Sequence, residues 1–303
     1  VLKGSASTLY GSDAVGGVIN IITRKPNAAS SSSKISAVAG SYGKRTYNFY
    51  NQGMTKAGLY WTVNAQKDKM KDYKDGHGNY TRNMIDSESY GVKIGQKFGD
   101  KADINFSYSK YKLDYGRPET SSDMMGPTIF TGGMTYGSKN NTKYAVSFNY
   151  KFNDKLNNSL SFFSRTSDLD DDTNHPATLW LMREKTWGFS DQLTYADGNH
   201  TIVGGYDYYK DAMNKYQDQY TPNMTGTVDN KAFFIEDKMK FGAFTVTPGV
   251  RLSKHSEYGN KTTASGVIAY DFNDITTMYV SYKEFSVLRI YMNYIIHFMV
   301  VES

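Results

Sequence analysis

The sequence predicts an all-β protein, a transmembrane antiparallel β-barrel, and three observations carry that prediction. Segments of roughly ten residues alternate apolar and polar side chains along most of the 303-residue chain. Tight turns alternate with long connections. Aromatic residues make up 15% of the chain, with 26 Tyr and 16 Phe against 6 Pro, which suits a barrel with a wet interior and aromatic girdles.

The first segment, 2–26, stands apart. Gly4, Gly11, Gly16 and Gly17 surround a small-residue stretch that runs into Val18-Ile19-Asn20-Ile21-Ile22 and stops at Pro26. Glycine lets a chain turn with φ > 0 and approach its neighbours closely, and the β-branched run reads as a buried strand. By residue chemistry alone this is a generic Gly-turn-strand unit. A Ser-rich linker, 28–33, follows.

Beyond it the strand candidates are 33–41, 44–51, 58–67, 88–98, 101–112, 142–152, 157–167, 184–195, 199–210, 230–240, 243–253, 261–271 and 275–283. In each, period two sets one class of side chain on each face. Leu59, Trp61, Val63 and Ala65 alternate with Tyr60, Thr62, Asn64 and Gln66. Ile104, Phe106 and Tyr108 alternate with Asn105, Ser107 and Ser109. Tyr144, Val146, Phe148, Tyr150 and Phe152 oppose Ala145, Ser147, Asn149 and Lys151, and Phe244, Val246, Val250 and Leu252 oppose Thr245, Thr247 and Arg251. A soluble β-sandwich shows the same dyad, so alternation alone leaves both architectures open.

Connection lengths separate them. Gly99-Asp100, Asn153-Asp154-Lys155-Leu156, Ala196-Asp197-Gly198, Phe241-Gly242 and Phe272-Asn273-Asp274 are tight turns. They alternate with long connections near 68–87, 113–141, 168–183 and 211–229, and Tyr42-Gly43 and 254–260 are the short members of that second set. Short turns at one end and long loops at the other are the asymmetry of an outer-membrane barrel. The set of Trp61, Phe106, Phe148 and Val246 then faces lipid, and the long loops face outside.

Composition narrows the chemistry. No apolar run approaches the roughly 18–20 residues of a membrane helix; the longest cluster, 295–301, is interrupted by His297. With no Cys, thiol catalysis, disulfides and Cys-zinc sites are excluded. The net charge of +5 suits contact with anionic lipid, and equally suits ordinary solvation. No catalytic constellation is present and no nucleic-acid partner is indicated. Of five scattered His, only His77 and His175 fall in the long connections, where a His either meets an arriving ligand or is simply solvated. Asp168-Leu169-Asp170-Asp171-Asp172 offers carboxylates to calcium, or is merely an acidic solvated loop; the D-x-D-x-D-G spacing is not met. Tyr73, Tyr80, Arg82, Tyr115 and Arg117, with nearby lysines, make the outer connections cationic and aromatic. Such loops fit an anionic aromatic ligand, lipopolysaccharide, or nothing specific.

The order of residues in 2–26 resembles the end of the plug domain of TonB-dependent outer-membrane receptors, R-G-P-x-S-x-L-Y-G-x-x-A-x-G-G-x-I-N-I-I-T. Gly4, Ser7, Leu9-Tyr10-Gly11, Ala14, Gly16-Gly17 and Ile19-Asn20-Ile21-Ile22-Thr23 match position by position. Lys3 replaces the usual Arg and loses its planar fork, and Ser5 replaces Pro. The block 230–285 is similar to two later barrel hairpins of that family, but the expected G-F-R-A-P does not follow Phe285.

The resemblance implies a plug end at 1–27, the first thirteen of about 22 barrel strands at 28–285, and an aberrant tail at 286–303, read as a frameshift or truncation. On that reading the chain is an incomplete, non-functional fragment of a receptor. It further implies a monomer in the outer membrane of a Gram-negative envelope, in contact with lipid and lipopolysaccharide. The implied function is active transport energised by the TonB-ExbB-ExbD complex, with a ferric siderophore as cargo, or else haem or cobalamin. No cofactor is implied. Gly4, Leu9, Tyr10, Gly11, Gly16, Gly17 and Asn20 are the structural plug motif. Lys3 and Arg24 would pair with barrel carboxylates at Glu236 and Glu284, although unpartnered charge explains those positions too. A passive porin or adhesive barrel is the rival function.

Overall fold

The structure is a computed structural model that describes residues 2–3, 17–18, 26, 29–74, 76–78, 80–81, 83–121, 129–172, 180–217, 223–273, 275–284 and 295–302. Two short strands, β1 (Leu2–Lys3) and β2 (Gly17–Val18), pair antiparallel with Lys3 opposite Gly17. The rest of the plug motif, Gly4, Leu9, Tyr10, Gly11, Gly16 and Asn20, lies outside the described residues, as does Arg24.

One antiparallel sheet holds most of the chain. Its strands are β3 (Ser31–Ala39), β4 (Arg45–Met54) and β5 (Leu59–Met70), then, past a separate small hairpin of β6 (Tyr73–Lys74) and β7 (Tyr80–Thr81), β8 (Ile85–Phe98). The order continues through β9 (Ala102–Ser121), β10 (Ile129–Lys151), β11 (Leu156–Asp172), β12 (Trp180–Asp197), β13 (His200–Gln217), β14 (Met224–Phe241), β15 (Phe244–His255), β16 (Gly259–Asn273) and β17 (Thr276–Lys283). The backbone of β18 (Ile295–Glu302) pairs with β17 as a fourteenth strand, within the segment expected to depart from the pattern. Each strand of the sheet pairs with the one before and after it in sequence, β5 reaching β8 across the small hairpin. Among the described residues the only helical element is the 3₁₀ turn Ser41–Gly43. Among the described residues no helix is long and apolar enough to cross a membrane.

The register assigns the faces. Residues directly opposite in an antiparallel ladder share a side. Trp61 lies opposite Ile94, Ile94 opposite Phe106, Phe106 opposite Val146 and Val146 opposite Phe162. The same face continues through Phe189, Tyr208 and Tyr206 to Phe233, Leu252 and Ile268. Its large apolar residues are exposed, among them Ile35 at 79% and Phe233 at 63%. A soluble protein does not leave so broad a face uncovered; a lipid-facing barrel wall requires it. Aromatics gather toward the upper edge of this band, where Tyr108 packs on Tyr144 and Trp187 on Tyr208, and toward its lower edge, where Phe244 packs on Tyr270.

Tight turns end the strands on one side. Gly99 and Gly198, at φ 57° and 56°, adopt the left-handed conformation that such turns need. In the turn after β10 the Asn153 side chain accepts from the amides of Lys155 and Leu156, both at 2.9 Å. There the Lys151 ammonium, 2.7 Å from Asp154, holds that carboxyl below its ordinary value.

The opposite side differs from expectation. The long connections expected at 113–141, 168–183 and 211–229 are mostly strand, and β10 alone runs 23 residues where about 10 cross a bilayer. The ladder continues above the membrane, with Tyr136 opposite both Gly116 and Asp172. Both faces are wet there, so the apolar/polar alternation fades while backbone pairing persists. The sheet therefore continues as two-stranded arms through much of these segments, with 122–128, 173–179 and 218–222 outside the described residues.

Candidate functional site

The second face, turned away from lipid, is polar and is the candidate site. At its lower end Tyr60, 1% exposed, lies against Gly95. Its hydroxyl donates to Asp103 at 2.8 Å, and Asn105 donates to the same carboxylate at 3.3 Å. A Cβ on Gly95 would fall 2.3 Å from the Tyr60 ring, so the glycine is what admits the ring.

Midway up, a charge network joins β12 to β15. Arg251, 3% exposed, donates from its guanidinium to Asp207 at 2.9 Å and from Nε to Ser253 at 3.2 Å. Its guanidinium carbon lies 5.6 Å from the centre of the Phe234 ring. Asp207 also accepts from the Ser190 hydroxyl at 2.6 Å. Beside it Asn230 donates to the Tyr209 hydroxyl at 2.8 Å. Higher, Arg165 donates to Thr186, which donates to Asp211 at 2.6 Å. Arg165, Thr186 and Asp211 line an open recess of about 560 Å³ with Glu184, Lys185 and Glu257. Sequence reading passed over this network, because each member is one ordinary polar residue of an alternating strand; only the register shows that they share a wall.

The expected ligand residues are dispersed. Tyr73 stacks on Tyr42 at 4.2 Å, and His77 sits exposed at the tip of the β6–β7 hairpin. Tyr115 is on the inner wall of the β9–β10 arm, its hydroxyl 3.2 Å from Asp171, with the Lys139 ammonium 5.9 Å from its ring centre. Tyr80 and Arg117 are strand residues whose side chains, like all of Arg82 and His175, lie outside the described residues.

The calcium reading is corrected. Asp168, Asp170, Asp171 and Asp172 belong to strand β11, not to a loop, and a strand sends neighbours to opposite faces. Asp168 and Asp170 point outward to Arg183, at 3.9 and 2.5 Å. Asp171 points inward to Tyr115 and is 2% exposed, while the Asp172 side chain lies outside the described residues. Among the described residues no three carboxylates or imidazoles gather as metal ligands.

The two barrel glutamates also separate. Glu236 is half-buried on the inner wall, opposite Gly249, which lies opposite Ser265 and then Lys283. Continuing that register puts Glu284 opposite Ala264, on the outward face. Its carboxylate accepts from the Ala264 amide and the Tyr282 hydroxyl, each at 2.9 Å. A carboxylate so engaged on the outside is not placed to meet a group inside the barrel, which corrects Glu284 and leaves Glu236. The Lys3 side chain lies outside the described residues.

A family model described as "TonB dependent receptor-like, beta-barrel" matches residues 28–286. The chain is 25% identical over 283 residues to the vitamin B12 transporter BtuB of Vibrio vulnificus (strain CMCP6), covering 88% of this chain and 43% of that protein. In fold it is similar to the ferric-catecholate import receptor Fiu of E. coli K12 in its closed form. That match has a TM-score of 0.75 and 14% identity over 93% of this chain and 54% of that one. The copper transporter OprC is similar with a TM-score of 0.76 and 16% identity, over 95% of this chain and 50% of that one. The chain thus spans about half the length of these relatives. A sheet apolar outside and polar inside, matched by a family model over most of its length, makes this chain a member of the TonB-dependent receptor family, with its β-barrel at residues 28–286.

Proposed function

We propose that the protein serves energised uptake of a scarce, bulky ligand across the outer membrane, with a ferric siderophore as cargo. The observation that carries the reading is the polar inner wall continued into the β9–β10 arm, where Tyr115 and Lys139 lie side by side. Charge attraction and cation–π contact there suit an anionic aromatic chelate. On this reading TonB, with ExbB and ExbD, supplies the energy, and the barrel works as a monomer in the outer membrane. Glu236 is the inner-wall carboxylate that Lys3 or Arg24 of a plug would meet. The relatives named for vitamin B12 and copper define the competing cargoes.

Uptake of a radioiron-loaded catecholate siderophore, labelled cobalamin and copper, compared in cells with and without the gene, tests the reading. Loss of siderophore uptake, abolished equally by a protonophore, is the expected result. Loss of cobalamin uptake with siderophore uptake intact would overturn the cargo. Uptake that persists without a proton gradient would make the barrel a passive pore.

A further inference from the structure

The inner wall sorts its charge by strand. Lys143 on β10, Arg165 on β11, Thr186 on β12 and Asp211 on β13 lie opposite one another in succession, a single row across four strands. Neighbouring strands are about 4.8 Å apart, so roughly 14 Å separates the first cation from the carboxylate. Lys143 and Arg165 are like charges placed directly opposite, an arrangement that costs stability. Among the described residues neither makes an ion pair, and Arg165 donates to the neutral Thr186 hydroxyl at 3.3 Å.

Carboxylates gather at the other end of the row. Glu184, one step above it, faces inward opposite Ser167, and Asp211 accepts from Thr186 at 2.6 Å. With Glu257 they border the recess of about 560 Å³. None of the three forms an ion pair among the described residues. Lys185 also borders the recess but belongs to the outward row, opposite Ala212. Two residues below Val228 of the recess, on the same wall, Asn230 is 5% exposed, and its Oδ1 has no hydrogen-bond partner among the described residues. A buried acceptor without a donor costs free energy, and this one lies at the acidic end of the row. The wall is thus cationic over β10 and β11 and holds acceptors without cations over β12 to β15.

We propose that this wall selects a zwitterionic chelate, a ferric catecholate complex that carries an ammonium group as well as its anionic ligands. Lys143 and Arg165 take the anionic face, and the ammonium enters the recess to meet Glu184, Asp211 and Glu257. A chelate with negative charge alone would satisfy the first half of the row and be repelled by the second. This selectivity rests on the siderophore reading above and narrows it.

The test compares two probes on the receptor purified from outer membranes in detergent. One is the ferric complex of a tris-catecholate built on a polyamine with one free amine; the other is the same complex with that amine acetylated. Iron and catecholate charge are common to both, and dissociation constants are read from quenching of tryptophan fluorescence. A hydrogen bond to a charged group contributes about tenfold in affinity, so the free amine is expected to bind about tenfold more tightly. Glu184→Gln with Asp211→Asn should abolish that preference without weakening the acetylated complex. Lys143→Gln should weaken both probes by the same factor and keep the preference. Equal affinity for the two probes in the wild type overturns this selectivity alone, because siderophore binding itself then stands. Binding of neither probe overturns it together with the siderophore reading. A preference that survives in the double variant puts the ammonium elsewhere and also overturns it. If the double variant lacks the heat-modifiable mobility of a folded barrel, Glu184→Gln decides alone, and an unchanged preference there sinks the idea.

Discussion

Replacing Arg251 with Met tests whether the inner-wall network is a structural strut. Arg251 is 3% exposed and Asp207, its partner at 2.9 Å, retains 21% side-chain exposure. Breaking one side of a buried ion pair costs about 3–5 kcal/mol, because the remaining charge is left without its partner. Asp207 is partly solvated and keeps the Ser190 hydroxyl at 2.6 Å, so the lower end, about 3 kcal/mol, is expected. Met replaces much of the arginine stem against Phe234, so little of that cost is lost packing. Pairing the change with Asp207→Asn removes the stranded charge, and the double variant should lie closer to wild type than Arg251→Met alone. Urea unfolding in lipid vesicles, followed by tryptophan fluorescence, measures all three. Because the pair is shielded, its contribution should change little with ionic strength. A cost for Arg251→Met below about 0.5 kcal/mol, or strictly additive effects in the double variant, would refute the reasoning.

Three further outcomes are expected. Gly95→Ala forces the Tyr60 ring from a Cβ 2.3 Å away and should cost about 1–3 kcal/mol by overpacking, whereas Gly204→Ala, with 3.6 Å of clearance, should be near neutral; equal urea midpoints for the two variants would contradict this. Val146→Lys puts a charge in the lipid-facing band and should cost about 2–4 kcal/mol, while Ser147→Lys, turned to the inner wall, should cost far less. Reversal of that order in vesicle unfolding would mean that the faces are exchanged. Tyr115→Phe removes the hydroxyl 3.2 Å from Asp171, a carboxylate 2% exposed, and should cost about 1–3 kcal/mol; an unchanged unfolding midpoint would show that Asp171 does not depend on it.

Strand positions inside the membrane were legible because hydrocarbon and water impose opposite demands on successive residues. Phe106, Phe148 and Val246 could be assigned to one face before any register was known. The turns were legible for a different reason: Gly99 and Gly198 supply a conformation that other residues rarely adopt. Above the membrane neither signal operates, so the arms formed by β9 to β12 read as loops. That misreading produced the calcium candidate, since five residues rich in aspartate look like a cluster in a loop and separate in a strand. The Arg251–Asp207 pair was hidden because its members are 44 positions apart, and nothing local marks either one. Glu284 was named from the family resemblance without a register, and one step of parity at the end of β17 decides inside from outside.

The order of the sheet also bears on how the protein comes to exist. Because each strand of the sheet joins its predecessor in sequence, no pairing among β3 to β17 waits for a distant part of the chain, and short loops close with little entropic cost. Hairpins can therefore be added one at a time to a growing edge, in the order in which they are synthesised. Every tight turn lies at the same end of the sheet, so each addition commits two strands together. Assembly of such a wall is a zipper rather than a search, and its slow step should be delivery of each hairpin into lipid.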